Sequence, residues 1–310
     1  MDNLRKGLRS LLLGVLCFLP RDQRRKIDRW LRGREEFKQL QRADWVLMSW
    51  GKSGRTWLRV MLSRFYQLHF GFEEDVLLDF DNLRAVNPQA PAVFFTHNNY
   101  LRDYTGNWES KAHFVGKRIV LLVRDPRDVA VSQYFQWKFR MKRGKKYLND
   151  YPDHGSDVAL FDFVMNPLVG VPRIVDYFNA WMAAISELEN VLVIRYEDMR
   201  SEPRASLAKI LEFTGTPASE AEVLNAVEFA AYDNMKKMEE DKHFRAAGSR
   251  VRAGDDSNPD SFKVRKAKVG GYRDYFDDEQ CATLDKLIAT LDPRLRYQPG
   301  LDAPNPREQS

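Results

Sequence analysis

From Trp45 onward the chain alternates short, continuously apolar runs with longer stretches of helical period. Trp45-Val46-Leu47-Met48-Ser49 reads as a buried strand. Ala92–Thr96, Arg118–Val123 and Val191–Arg195 repeat that pattern. In the first intervening stretch, Arg55–Phe70, the apolar residues Trp57, Leu58, Met61, Leu62 and Phe65 fall at helical spacing. Further helices are predicted over Asp128–Phe139, Arg173–Glu189, Glu202–Thr214, Ser219–Phe229 and Asp277–Leu291. Apolar strands separated by helices predict an α/β domain, with a central parallel sheet covered by helices on both faces. Ligands in such sheets sit at the carboxyl ends of the strands, so the chemistry is expected there. Residues 241–275 break the pattern with Gly248, Gly254, Pro259, Gly270 and Gly271. A loop this long in a compact domain marks a functional lid or a disordered segment.

The N-terminal segment differs from the rest. Residues 1–34 carry ten basic residues against three acidic ones, on both sides of an apolar run from Leu11 to Leu19. That run is too short for a bilayer, which needs about 20 residues. Pro20-Arg21-Asp22 follows it where a signal peptide would have small cleavage-site residues. Two readings stay open: a helix packed on the domain with a solvated basic face, or a peripheral helix on anionic lipid. The expected division is a basic amphipathic helical extension over 1–41, one domain over 42–300, and a tail over 301–310.

Composition narrows the class. The 310 residues are 44% apolar and 30% charged, an ordinary globular balance. A net charge of +5 does not call for nucleic acid, and no such partner is expected. Cys17 and Cys281 cannot build a disulfide framework or a four-ligand zinc site, so a reducing, cytoplasmic setting is the simpler reading.

Two strand ends carry the candidate chemistry. After the first strand, Gly51-Lys52-Ser53-Gly54-Arg55-Thr56-Trp57 opens a helix. Glycines allow a tight turn, and the helix N-terminus offers unpaired N–H groups to an anion. Lys52 adds charge, and Ser53 and Thr56 add hydroxyls, so the loop suits a phosphate-like oxyanion. The spacing is not that of an NTPase loop, because the first glycine required by that motif would fall at Val46. At the third strand's end, Arg124 leaves the sheet, Pro126 opens a helix and Ser132 lies eight residues on. A basic segment from Arg265 to Arg273 surrounds Gly270-Gly271. Lys138, Arg140, Lys142, Arg143, Lys145 and Lys146 form another basic stretch, interleaved with Trp137, Phe139 and Tyr147. It reads either as a wall for an anionic or sugar-bearing ligand or as a solvated surface.

Together these motifs resemble the sulfotransferases that use 3′-phosphoadenosine 5′-phosphosulfate (PAPS). Gly51–Trp57 resembles the family's P-K-S-G-T-T-W, and Arg124 to Ser132 its arginine-to-serine motif. Tyr196-Glu197-Asp198-Met199 resembles Y-E-D-M, and Arg265–Asp277 resembles R-K-G-x-x-G-D-W-K-x-x-F-T. The resemblance implies a P-loop-like fold and sulfonate transfer to a hydroxyl or amine, without a metal. It implies that Lys52, Ser53, Gly54, Arg55 and Thr56 cradle the 5′-phosphosulfate. Trp57 stacks on adenine, Tyr196 reaches its edge, and Tyr232 and Met235 flank it. Arg124, Ser132, Arg265 and Lys266 hold the 3′-phosphate, with Ala267 in the same motif. Phe95-Thr96-His97 stands where the family has K-T-H, which makes His97 the general base and leaves no lysine at 95. The implied catalytic set is His97, Lys52 and Ser132. The acceptor expected from the basic stretch and the N-terminal segment is a glycan, or a lipid-linked glycan met at the inner face of a membrane. A P-loop nucleotide kinase and a catalytically silent nucleotide- or membrane-binding protein are the rival readings.

Overall fold

The computed structural model describes residues 2–107, 110–244, 255, 258–262 and 268–297. Four strands, β1 (Trp45–Ser49), β2 (Val93–Thr96), β3 (Arg118–Val123) and β4 (Val191–Arg195), form one parallel sheet in the order β2-β1-β3-β4. Side chains of successive strand residues alternate between two cores. Val46, Met48, Ile119, Leu121 and Val123 face one of them. Trp45, Leu47, Val120 and Leu122 face the other. Burial on both faces explains why these runs are continuously apolar.

The helices named in this article are α1 (Asp2–Val15), α2 (Arg21–Arg42), α3 (Arg55–Phe70), α4 (Leu101–Thr105), α5 (Pro126–Phe139), α6 (Arg143–Leu148), α7 (Leu160–Met165), α8 (Val171–Ala184), α9 (Tyr196–Ser201), α10 (Pro203–Thr214), α11 (Glu220–Phe229), α12 (Tyr232–Glu240) and α13 (Asp278–Ile288). Residues of α5, α8 and α13 fill the first core. Those of α3, α10, α11 and α12 fill the second. Helix α5 begins two residues earlier than periodicity predicts. The Asp125 carboxylate accepts the Arg127 N–H at 2.8 Å and Pro126 takes the first helical position, so the cap rather than the apolar pattern sets the start.

Strand order positions the site. β1 lies between β2, which follows it in the chain, and β3, which comes later. The connections therefore diverge at the carboxyl ends of β1 and β3, where sheets of this kind open a crevice.

Helix α2 is packed on the domain. Gly33 brings it against the Tyr100 carbonyl and the Tyr104 side chain, where a Cβ would collide. Arg29 donates to the Asp103 carboxylate at 2.9 Å, to the Leu148 carbonyl at 2.8 Å and to the Asn99 carbonyl at 3.1 Å. Arg25 pairs with Asp150, and Arg9 of α1 with Glu35 at 2.6 Å. Four of the ten basic residues in 1–34, Arg9, Arg25, Arg29 and Arg32, are thus paired with carboxylates. The apolar run behaves differently: Leu11, Val15 and Phe18 are 67%, 65% and 74% exposed.

Candidate active site

The loop from β1 to α3 turns through two left-handed residues, Lys52 at φ 72° and Gly54 at φ 94°. Gly54 is required twice over. Its φ suits glycine, and a Cβ there would lie 2.5 Å from the Tyr196 ring. The turn delivers Arg55, Thr56 and Trp57 to the first turn of α3, where amide N–H groups lack intrahelical partners. Trp57 is fixed by its indole N–H, which donates to the Ala230 carbonyl at 2.8 Å. Its ring meets Tyr196 edge-on at 6.0 Å.

Arg124, at the end of β3, closes the next side. It donates to the Lys52 and Lys268 carbonyls, each at 3.2 Å, and its guanidinium lies 4.3 Å over the Tyr196 ring. Asp128, in the first turn of α5, faces Arg124 at 3.4 Å. The same carboxylate accepts the Gly270 and Tyr272 N–H groups at 2.9 Å each. Burial pushes the Asp128 carboxyl above the usual range, with the Arg124 guanidinium opposing that shift. Asp128 thus ties residues 268–272 to the edge of the sheet. Arg265, Lys266 and Ala267 lie outside the described residues.

His97 stands just beyond β2. Met48 of β1 is in register with Thr96, so the Ser49 carbonyl and the His97 ring become neighbours across the strands. The Nδ1 atom of His97 lies 2.6 Å from that carbonyl, and Nε2 lies 2.7 Å from an Arg55 Nη. A carbonyl only accepts and a guanidinium only donates. The partners therefore assign a neutral ring with its proton on Nδ1 and a lone pair on Nε2. Phe95 is occupied otherwise: the Arg59 guanidinium lies 3.7 Å from its ring centre. The cation beside the histidine is supplied by Arg55.

These groups share one cavity of about 1100 Å³. Lys52, Gly54, Arg55, Thr56, Trp57, His97, Arg124, Ser132, Tyr196, Tyr232 and Met235 all line it. Ser53 does not. It is buried, and its Oγ has no hydrogen-bond partner among the described residues. The buried Arg124 Nε likewise has no partner there. Of the basic stretch, Arg140, Lys142 and Lys145 reach the cavity. Lys146 instead lies buried over the Trp137 ring at 4.8 Å, and Trp137 is core.

Sequence reasoning missed several lining residues. Glu36 of α2 is one, and burial pushes its carboxyl up to about 7. Arg102, Lys111, His113 and Arg173 are others. The first three follow β2 on the ligand edge of the sheet, a position that could have flagged them. Arg173 comes from α8 and carried no such signal.

The sulfotransferase domain model matches residues 42–295. The chain belongs to the sulfotransferase family. It is 24% identical over 294 residues to cytosolic sulfotransferase 7 of Arabidopsis thaliana, covering 84% of this chain and 83% of that one. It is 26% identical over 180 residues to sulfotransferase 2A1 of Rattus norvegicus, a match spanning 58% of each protein. Mouse sulfotransferase SULT7A1 complexed with PAP shares the fold at TM-score 0.52, with 21% identity, 83% of this chain and 87% of that chain covered. Retinol dehydratase with retinol and PAP does so at TM-score 0.53, with 18% identity and 84% and 82% covered. Among the described residues no helix is long and apolar enough to cross a membrane.

Proposed function

We propose that this sulfotransferase moves a sulfonate group from PAPS to a hydroxyl or amine of a glycan, with His97 as general base. The observation that carries the reading is the setting of His97. Its tautomer is fixed by the Ser49 carbonyl, and its Nε2 lone pair lies in the same cavity as the anion-binding loop.

The residues suit the co-substrate. Lys52, Arg55, Thr56 and the amides opening α3 receive the 5′-phosphosulfate, and Arg124 and Ser132 receive the 3′-phosphate. Trp57, Tyr196, Tyr232 and Met235 wall the adenine. The acceptor oxygen forms a bond to sulfur as the bond from sulfur to the 5′-phosphate oxygen breaks. The acceptor proton passes to His97 Nε2, and the electron pair stays on the phosphate oxygen. Lys52 and the loop amides stabilise that developing charge. Arg55 occupies Nε2 in the free protein, so it shifts toward the incoming anion as the acceptor proton takes its place.

General-base catalysis supplies about 10²- to 10⁴-fold. His97→Ala is therefore expected to cost about 3–5 kcal/mol of barrier lowering. Turnover of labelled PAPS over a panel of glycans, phenols and lipids measures this. Binding of adenosine 3′,5′-bisphosphate should stay at the wild-type level. A loss under tenfold would assign the proton to another group.

We place the reaction at the cytoplasmic face of a membrane, with α1 as a peripheral anchor. Exposed Leu11, Val15 and Phe18, at positions i, i+4 and i+7, support this, because an exposed apolar face suits a lipid surface. Leu11→Asp, Val15→Asp and Phe18→Asp together should abolish sedimentation with phosphatidylserine vesicles while leaving the response to adenosine 3′,5′-bisphosphate unchanged. Undiminished sedimentation would remove the anchor.

A further inference from the structure

The cavity holds a second group of cations that the phosphate loop does not explain. Arg102 of α4, Lys111 in the segment before β3, and Arg173 of α8 all line it. Other cations on the same walls are matched by carboxylates: Arg29 by Asp103 at 2.9 Å, Arg32 by Asp28 at 2.9 Å, and Arg140 by Glu239 at 3.5 Å. Among the described residues, Lys111 and Arg173 have no carboxylate within ion-pair distance. Lys111 rests instead against the Trp181 ring, 5.6 Å from its centre. Asp103, held by Arg29, and Asp150 both act on Arg102, so the cations left without a close carboxylate are Lys111 and Arg173.

We infer that Lys111, Arg173 and Arg102 form a subsite for an oxyanion group on the acceptor, so that the substrate is an anionic saccharide. The inference rests on the sulfotransferase reading and names the acceptor class of the same cavity. Two like charges with no carboxylate within ion-pair distance, the cavity's Asp150 and Asp176 lying farther off, would be poorly compensated under a neutral, apolar acceptor, which is costly as water leaves. A carboxylate, phosphate or sulfate ester brings the missing charge and accepts charge-assisted hydrogen bonds. The electrostatics agree with the geometry. Burial, then repulsion from Arg102 and Arg173, lowers the Lys111 ammonium below its usual value. Burial, then Arg173 and Arg29, lowers Arg102. His113 supplies a complementary feature. Both its ring nitrogens are buried without hydrogen-bond partners among the described residues, and burial holds its pKa down at about 4. A neutral imidazole offers one donor and one acceptor, a match for a sugar hydroxyl. Asn107 and Ser110 line the cavity beside it in sequence.

The test uses the full chain saturated with adenosine 3′,5′-bisphosphate, which fills the phosphate positions of the loop, and the double substitution below separates the subsite from any anion held by Lys52 and Arg55. Four probes are titrated by calorimetry: a uronate-containing disaccharide, a phosphorylated disaccharide, a neutral disaccharide and 4-nitrophenol. The inference expects one or both anionic probes to bind tighter than the neutral ones. Which of the two binds tells a carboxylate from a tetrahedral oxyanion. Lys111→Ala combined with Arg173→Ala should weaken the anionic probe by about tenfold or more. Lys111→Arg, which keeps the charge, should retain most of the binding. Neutral-probe affinity and nucleotide affinity should not move. Equal affinity for charged and neutral probes, no binding by any anionic probe, or an anion affinity that survives the double substitution would overturn the subsite. A wild-type chain that failed to bind adenosine 3′,5′-bisphosphate would instead overturn the sulfotransferase reading, and the two failures are read separately.

Discussion

At the scale of single residues, the contact that decides most is Arg55 on His97 at 2.7 Å. The family resemblance pointed to His97, Lys52 and Trp57, and all three line the one cavity. The Arg55–His97 pair was not legible. It depends on the β1–β2 register, which brings together residues 42 positions apart. It also accounts for the lysine missing at Phe95, since a cation arrives from the neighbouring strand's loop. In the proposed reaction Lys52 and Arg55 both face the transferring sulfonate, which the product nucleotide lacks. Interactions that strengthen only toward the transition state raise turnover rather than affinity. Lys52→Ala and Arg55→Ala should therefore each lower kcat by about 10²-fold or more, the scale of losing a preorganised charge-stabilising donor. The Kd for adenosine 3′,5′-bisphosphate should rise only a few-fold in either variant. A collapsed nucleotide affinity with normal residual kcat would make them plain phosphate anchors.

Between elements, buried carboxylates do the joining. Glu197, in the first turn of α9, accepts the Asp125 N–H at 3.0 Å and the Tyr297 hydroxyl at 2.5 Å. It thereby ties α9 to the start of α5 and to the C-terminal segment. The motif Tyr196-Glu197-Asp198 was visible in the sequence, but this role was not, because Tyr297 lies 100 residues away. Burial pushes the Glu197 carboxyl from its usual 4.5 up to about 7, against hydrogen bonds that pull it down. Glu36 is raised into the same range by burial. A carboxyl whose pKa is higher in the folded chain binds its proton more tightly there. Its favourable contribution is present below about pH 4.5 and is lost as the pH climbs through about 7. Urea unfolding should therefore show lower stability at pH 8 than at pH 5, by about 2–3 kcal/mol per group. Glu197→Gln should flatten that slope, and Glu36→Gln added to it should flatten it further. Parallel wild-type and variant curves would show that neither carboxyl titrates on unfolding.

At the scale of the whole molecule, the sheet was the most legible part. Three of the four strands stand where their apolar runs predict them, and β2 starts one residue later. Strand order was not legible, because apolar runs do not state which neighbours pair. For α2 the sequence left packing on the domain and peripheral lipid contact both open, and neither reading placed Asp103 and Asp150 opposite its arginines. The order β2-β1-β3-β4 makes the proposed nucleotide site a property of the assembled chain. Lys52 comes from the β1 loop, Arg124 from β3, Tyr196 from β4's end and Met235 from α12. No such arrangement survives unfolding, so a nucleotide that binds here binds only the folded state. At about 100 times its dissociation constant, adenosine 3′,5′-bisphosphate should then stabilise the fold by roughly 2.7 kcal/mol. Adenosine 5′-monophosphate at the same concentration should stabilise it far less, because Arg124 and Ser132 lose the 3′-phosphate. Arg124→Ala should remove most of the difference between the two nucleotides in thermal unfolding. Equal shifts from both nucleotides in the wild-type chain would show that the 3′-phosphate is not held at the end of β3.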